Sequence, residues 1–183
     1  LQGSINSIYY NNGLFIGKKN EVYRYNEETA NFDLYYQLPN GSLDIFCMHI
    51  DKGYLWIGTT TNGVYRLNID KKELEHPIRK GNIISFYRDS GGELWIGSWE
   101  EGLFHVKTNG KIENFKYDAK NPHSLSSNFV RACCEDNLGN IWIGTFNGLN
   151  RYNKSTGLFQ NHTANDIQSD GLTHSSIWCI VKD

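Results

Sequence analysis

Four near-copies of one tetrad constrain this chain more than anything else in it. They are Leu14-Phe15-Ile16-Gly17, Leu55-Trp56-Ile57-Gly58, Leu94-Trp95-Ile96-Gly97 and Ile141-Trp142-Ile143-Gly144. Their starts lie 41, 39 and 47 residues apart. A unit recurring at that period cannot bury its apolar face alone and must stack on its own neighbours, as in propellers and solenoids. Aromatics make up 14% of the sequence, and Gly (18) far outnumbers Pro (3). That balance favours strands and tight turns over helices.

Each repeat reads as four short strands. The first is an apolar run ending on Asn11, Asp51, Asp89 or Asp136. A Gly- or Asn-rich turn follows, such as Ser90-Gly91-Gly92-Glu93 or Asn137-Leu138-Gly139-Asn140, which supplies the positive φ of a hairpin. The tetrad is the second strand. It is apolar at consecutive positions, the mark of a strand covered on both faces. The third strand alternates polar and apolar residues, and the fourth is the most polar, as an outer strand should be. The chain is therefore expected to be all-β: a β-propeller fragment of about four four-stranded antiparallel blades plus the first strand of a fifth. The expected blade limits are about 1–39, 40–79, 80–118 and 119–165, with the fifth beginning at about 166–183. The last twelve residues superimpose on Leu125–Asp136, which implies a piece of a longer protein.

Phe15, Trp56, Trp95 and Trp142 are expected to be equivalent wedges between neighbouring blades. The repeated Asp51, Asp89 and Asp136 are expected to brace turns by accepting backbone hydrogen bonds. Recurrence in several blades gives Arg24, Arg66 and Arg151 a structural reading too. Cys47 and Cys179 share a position with Ser7, Ser85 and Ala132 that admits small residues only. The four cysteines match no zinc or redox spacing.

Charged residues are 21% of the sequence and the net charge is −2, so nothing electrostatic favours nucleic acid as a partner of this region. No apolar run approaches the roughly 20 residues that span a bilayer. The six histidines are scattered over the second, third and fourth repeats and the start of the fifth without metal-ligand spacing, and no nucleophile elbow or phosphate loop is present. The fragment is read as non-catalytic, with no cofactor and no metal.

Binding is sought where the repeat is broken. Trp99 stands in the loop after the second strand, where other blades carry Lys, Thr or Phe, and Phe146 is its counterpart in blade four. An aromatic there can stack on a sugar ring. Glu100, Glu101, Asn147 and Asn62 occupy the same loops, and the long connections Asp118–Asn128 and Ala164–Ser176 are expected on the same face. Arg131 and Trp178 share an early first-strand position held elsewhere by Asn6, Phe46 and Ile84. That variability suits a lining role. The candidate ligand-binding set is Trp99, Glu100, Phe146, Asn147, Asn62, Arg131 and Trp178.

The run Ser126–Arg131, then Glu135-Asp136-Asn137-Leu138-Gly139-Asn140-Ile141-Trp142-Ile143-Gly144-Thr145, then Gly148–Asn153, resembles the two-component regulator propeller repeat. Blades two and three match well. Blade one is degenerate, with Asn11, Phe15 and Lys18 at the Asp, Trp and Thr positions. The resemblance implies the periplasmic sensor of a hybrid two-component receptor, an inner-membrane protein with a histidine kinase beyond its ectodomain. It implies recognition of an oligosaccharide and control of polysaccharide-utilisation genes. The implied partners are the ligand, the remaining blades and downstream domains, and a second copy through open blade edges. Two other readings stay open: a propeller scaffold that binds only protein, and a lyase-like propeller enzyme, which would need a metal and a His–Glu arrangement.

Overall fold

The computed structural model describes residues 5–10, 13–39, 43–164, 172 and 174–182. Among these there are sixteen strands and no helix. Four antiparallel four-stranded sheets form in sequence order: β1 (Ser7–Tyr10) to β4 (Asn31–Gln37), β5 (Ile45–Asp51) to β8 (Leu74–Ile78), β9 (Ile83–Arg88) to β12 (Ile112–Phe115), and β13 (Val130–Glu135) to β16 (Leu158–His162). Each tetrad lies on a second strand: β2 (Leu14–Lys18), β6 (Tyr54–Thr59), β10 (Leu94–Ser98) and β14 (Ile141–Thr145). The third strands are β3 (Glu21–Asn26), β7 (Val64–Asn68), β11 (Leu103–Val106) and β15 (Gly148–Asn153). The architecture is a β-propeller fragment.

The chain divides into two compact units, Leu1–Ile83 and Ile84–Asp183. In the first, Phe15 and Val22 of one sheet, with Leu38 just beyond it, pack with Met48, Leu55 and Leu67 of the next. In the second, Trp95 and Leu103 pack with Val130, Cys133, Ile141, Tyr152 and Phe159. The wedge reading therefore holds inside each unit for Phe15 and Trp95. Trp56 is also buried. Trp142 is only half-buried, and its ring stacks on His162 of its own sheet at 5.8 Å.

The tetrad glycine is required by close approach. A Cβ on Gly17 would lie 2.7 Å from Ile45 Cγ2, and one on Gly97 would strike Ser85 Oγ and come within 2.6 Å of the Val130 carbonyl oxygen. Opposite these glycines stand Ser7, Cys47 and Ala132, the small residues expected there. Ile177 sits over Gly144 in the same way, at 2.7 Å from a Cβ built there, and its N–H donates to the Thr145 carbonyl at 2.9 Å. The start of the fifth repeat thus occupies its seat but forms no strand. A first strand needs the second strand of its own blade as ladder partner, and none stands beside it among the described residues.

The loop after each second strand has one design. Thr59, Ser98 and Thr145 donate their hydroxyls to the carbonyls of Gly63, Gly102 and Gly148 at 2.8–2.9 Å. They accept N–H bonds from Asn62, Glu101 and Asn147 at 2.9–3.1 Å. The three glycines have φ of +74°, +77° and +114°, and a Cβ would collide with the carbonyl oxygens of Ile78, Phe115 and His162. Each glycine N–H then bonds the segment leading into the following first strand, at Gly81, Asn128 and Ser175. Blade one has no such glycine; Lys19 takes φ +50° instead.

Asp89 and Asp136 brace their turns as expected. They accept the N–H groups of Glu93 (2.8 Å) and of Leu138 and Asn140 (2.9 Å each). They also accept the indole N–H of Trp95 (2.9 Å) and Trp142 (2.8 Å). One acid thus fixes both the turn and the wedge. Between the sheets of the second unit, Lys154 lies 2.7 Å from Asp89 and 2.8 Å from Glu135. Burial works to raise the pKa of each carboxyl. The Lys154 ammonium and the donors around them outweigh it, and both end below the usual range.

Candidate functional site

The ladder of β13 and β14 carries a β-bulge. Val130 pairs with Thr145 and Ala132 with Gly144, leaving Arg131 as the extra residue. A bulge releases a side chain from the alternation and re-aims it. The Arg131 guanidinium carbon lies 3.3 Å from the ring centre of Trp178 and 5.1 Å from that of Trp99. Trp99 meets Phe129 edge-on at 5.4 Å, and Phe129 is 5.9 Å from Phe146. Backbone bonding fixes the last pair: the Phe146 N–H donates to the Phe129 carbonyl at 3.1 Å. The result is a row of four aromatic rings with one guanidinium set into it.

The row faces solvent. Exposure is 38% at Trp99, 56% at Phe146 and 71% at Trp178. Large apolar residues clustered in the open mark interaction surfaces, whereas isolated ones need no explanation. A guanidinium stacked on tryptophan gains about 0.5–2 kcal/mol. Against that, Nε and Nη1 of Arg131 are covered and meet no acceptor among the described residues. Unpaired buried donors cost about 1–3 kcal/mol each. Arg66 and Arg151 also leave Nε unpaired, but their Nη2 groups have partners in Glu75 and in Gln160 Oε1 (2.9 Å).

Of the candidate residues, the structure gathers Trp99, Arg131, Trp178 and Phe146 into this row. Asn147 is exposed beside Phe146, and its side-chain amide donates to the Ser126 carbonyl at 3.5 Å. Glu100 is exposed next to Trp99; Glu101 is paired with Lys116 at 2.7 Å. Asn62 belongs to the first unit. There its amide donates to the Tyr65 hydroxyl at 2.8 Å, and it lines a cleft with Pro39, Leu74, Glu75, His76 and Arg79. The connection Asp118–Asn128 is exposed from Asp118 to His123 and packed down from Ser124 onward. Leu125 is fully buried, and Ser126 bonds Asn150 (2.8 Å) and Thr145 (3.0 Å). Most of Ala164–Ser176 lies outside the described residues. Among the described residues, no three His, Cys, Asp or Glu side chains come together as metal ligands.

Phe129 was missed by sequence reasoning. The signal was there: the equivalent positions hold Asp44, Asn82 and Ser176, so an aromatic at 129 breaks a polar pattern.

Residues 77–100 and 124–147 match the family model of the two-component regulator propeller. Trp99, Phe129, Arg131 and Phe146 all fall inside those two segments. No curated protein matches the chain. Among solved structures, the chain is similar to the extracellular domain of a hybrid two-component system from B. thetaiotaomicron. The identity is 27% and the TM-score 0.68, over 89% of this chain and 23% of that one. A second extracellular domain of that kind from the same organism is 18% identical with a TM-score of 0.60, over 99% and 32% of the two chains. A computationally designed protein gives 13% and 0.70, over 100% and 54%. The last two likenesses concern the fold alone. The chain spans 23% and 32% of the length of the two extracellular domains.

Proposed function

We propose that this propeller region is the sensing part of the extracytoplasmic domain of a hybrid two-component receptor, and that it recognises an oligosaccharide. The reading places it in the periplasm, on an inner-membrane protein whose kinase lies elsewhere in the sequence. Ligand binding then switches on genes for polysaccharide use. The region itself is non-catalytic. Support comes from the two regulator-propeller segments and from the similarity to an extracellular domain of such a system.

One observation carries the ligand assignment. Trp99, Phe146 and Trp178 stand at positions that vary from blade to blade, Phe129 replaces a polar residue, and three of the four rings are exposed. Blade stacking does not require them. Flat apolar faces in a row, with a polar group set between them, suit the apolar faces and hydroxyl edges of successive sugar units.

Calorimetry against an oligosaccharide panel tests this, with the unaltered chain beside Trp99→Ala. At least one glycan should bind, and the substitution should weaken it about tenfold or more, as for a central aromatic anchor. Silence across the panel, with tight binding to a protein partner, would support the scaffold reading instead.

A further inference from the structure

We infer that Arg131 makes the aromatic row selective for sugars bearing an anionic group, a carboxylate or a sulfate ester. This rests on the reading of the row as the glycan site and goes further by naming the chemistry it prefers.

The fold has no need of arginine at this position. Its equivalents are Asn6, Phe46, Ile84 and Trp178, which span amide, aromatic and aliphatic side chains. No acidic residue pairs with Arg131 among the described residues, and no acceptor reaches Nε or Nη1. By contrast, Lys107 and Lys111 share Glu113, at 3.0 and 2.8 Å, and Lys116 holds Glu101. So a permanent positive charge stands without an anion, its guanidinium carbon 3.3 Å from the Trp178 ring centre and 5.1 Å from that of Trp99. Guanidinium held flat is preorganised for the planar or tetrahedral oxygens of carboxylate and sulfate.

Access follows from Trp178, whose ring is the most exposed of the row. Rotation of an exposed side chain is fast and uncovers the donors beneath it. An arriving anion then replaces the indole contact with charge-assisted hydrogen bonds, and sugar rings lie on Trp99 and Phe146. Glu100, exposed beside Trp99, carries a charge that repels an anion on the row, so its removal should help.

The test uses three probes against the 183-residue chain: digalacturonate, a 6-O-sulfated lactose and unmodified lactose. One or both charged probes should bind about tenfold tighter than lactose, and which of them does separates a carboxylate from a sulfate preference. Raising salt from about 0.05 to 0.5 M should weaken the charged probe and leave lactose unchanged. Arg131→Met keeps the stem packed on the rings and should erase the preference. Arg131→Lys should keep part of it, and Glu100→Gln should strengthen charged binding severalfold. Near-ultraviolet circular dichroism checks that each variant keeps its packing. Equal binding of lactose and the charged probes, or a preference that survives Arg131→Met, overturns the inference while leaving a glycan site in place. Failure of all three probes to bind while a neutral glycan of the wider panel binds overturns the inference alone, and silence across that panel removes both.

Discussion

Trp95→Ala tests the wedge more sharply than any other substitution. The ring is wholly buried, with His105 stacked on it at 3.7 Å and Tyr152 edge-on at 5.4 Å. Removing a buried tryptophan leaves a cavity worth about 3–5 kcal/mol. Its indole also donates to Asp89, a bond to a charged acceptor worth about 1.5–3 kcal/mol. Lys154 and the Glu93 amide still hold that carboxylate, so only part of the second amount is lost. The expected cost is about 4–5 kcal/mol, a large share of the roughly 5–15 kcal/mol that a folded domain has. Trp142→Ala is the internal control. It breaks the same bond, to Asp136, at a half-buried ring, and should cost about half as much. Urea unfolding followed by far-ultraviolet circular dichroism reads both without relying on tryptophan emission. A midpoint shift for Trp95→Ala no larger than for Trp142→Ala would refute the wedge argument, and so would a cost below about 1 kcal/mol.

Gly97→Ala should cost about 1–3 kcal/mol, since a Cβ there meets Ser85 and Val130, whereas Gly91→Ala, with nothing nearer than 3.4 Å, should be nearly neutral; thermal melts compare them. Acid should weaken the contact between the sheets of the second unit. Asp89 and Glu135 have folded pKa values below their ordinary 3.8 and 4.5, so their stabilisation is present above those values and is lost as the pH falls below them. Lys154 is raised above 10.5, so its share is present below that value and lost only as the pH climbs past the folded one. Lys154→Met should therefore flatten the loss of stability between about pH 5 and pH 2 in urea midpoints; an unchanged acid limb would sink that account. We also predict concentration-dependent association of the chain in light scattering, because Ile8, Tyr10 and Leu34 of the first sheet are exposed. A compact monomer at all concentrations would contradict it.

The tetrads and turn acids were legible in the sequence because repetition separates what every blade needs from what one blade uses. Arg66 and Arg151 sit across the ladder from Trp56 and Trp142, and their recurrence gave away that structural role. In the third blade His105 takes the place, stacked on Trp95 and bonded to Glu93 at 2.8 Å. Departures from the pattern pointed to Trp99, Arg131, Phe146 and Trp178, which the fold brings together. What repetition hides is contact between repeats. Lys154, in the turn between β15 and β16, reaches Asp89 from another sheet, and no period in the sequence predicts that. The bulge at Arg131 does recur, at Phe46 between Ile45 and Cys47 of the second sheet, but it arises from strand pairing and leaves no mark in the residue types. In the connection Asp118–Asn128, Leu125 and Ser126 supply buried apolar and hydroxyl contacts to the fourth sheet, which loop length alone does not announce.

The five indole N–H signals of the 15N-labelled chain separate the two classes of tryptophan in a single titration with a bound oligosaccharide. The signals of Trp99 and Trp178 should move with added sugar, while those of Trp56, Trp95 and Trp142 stay where they are. Shifts confined to the tetrad tryptophans, or spread equally over all five, would contradict the division between residues that hold the blades and residues that meet the ligand.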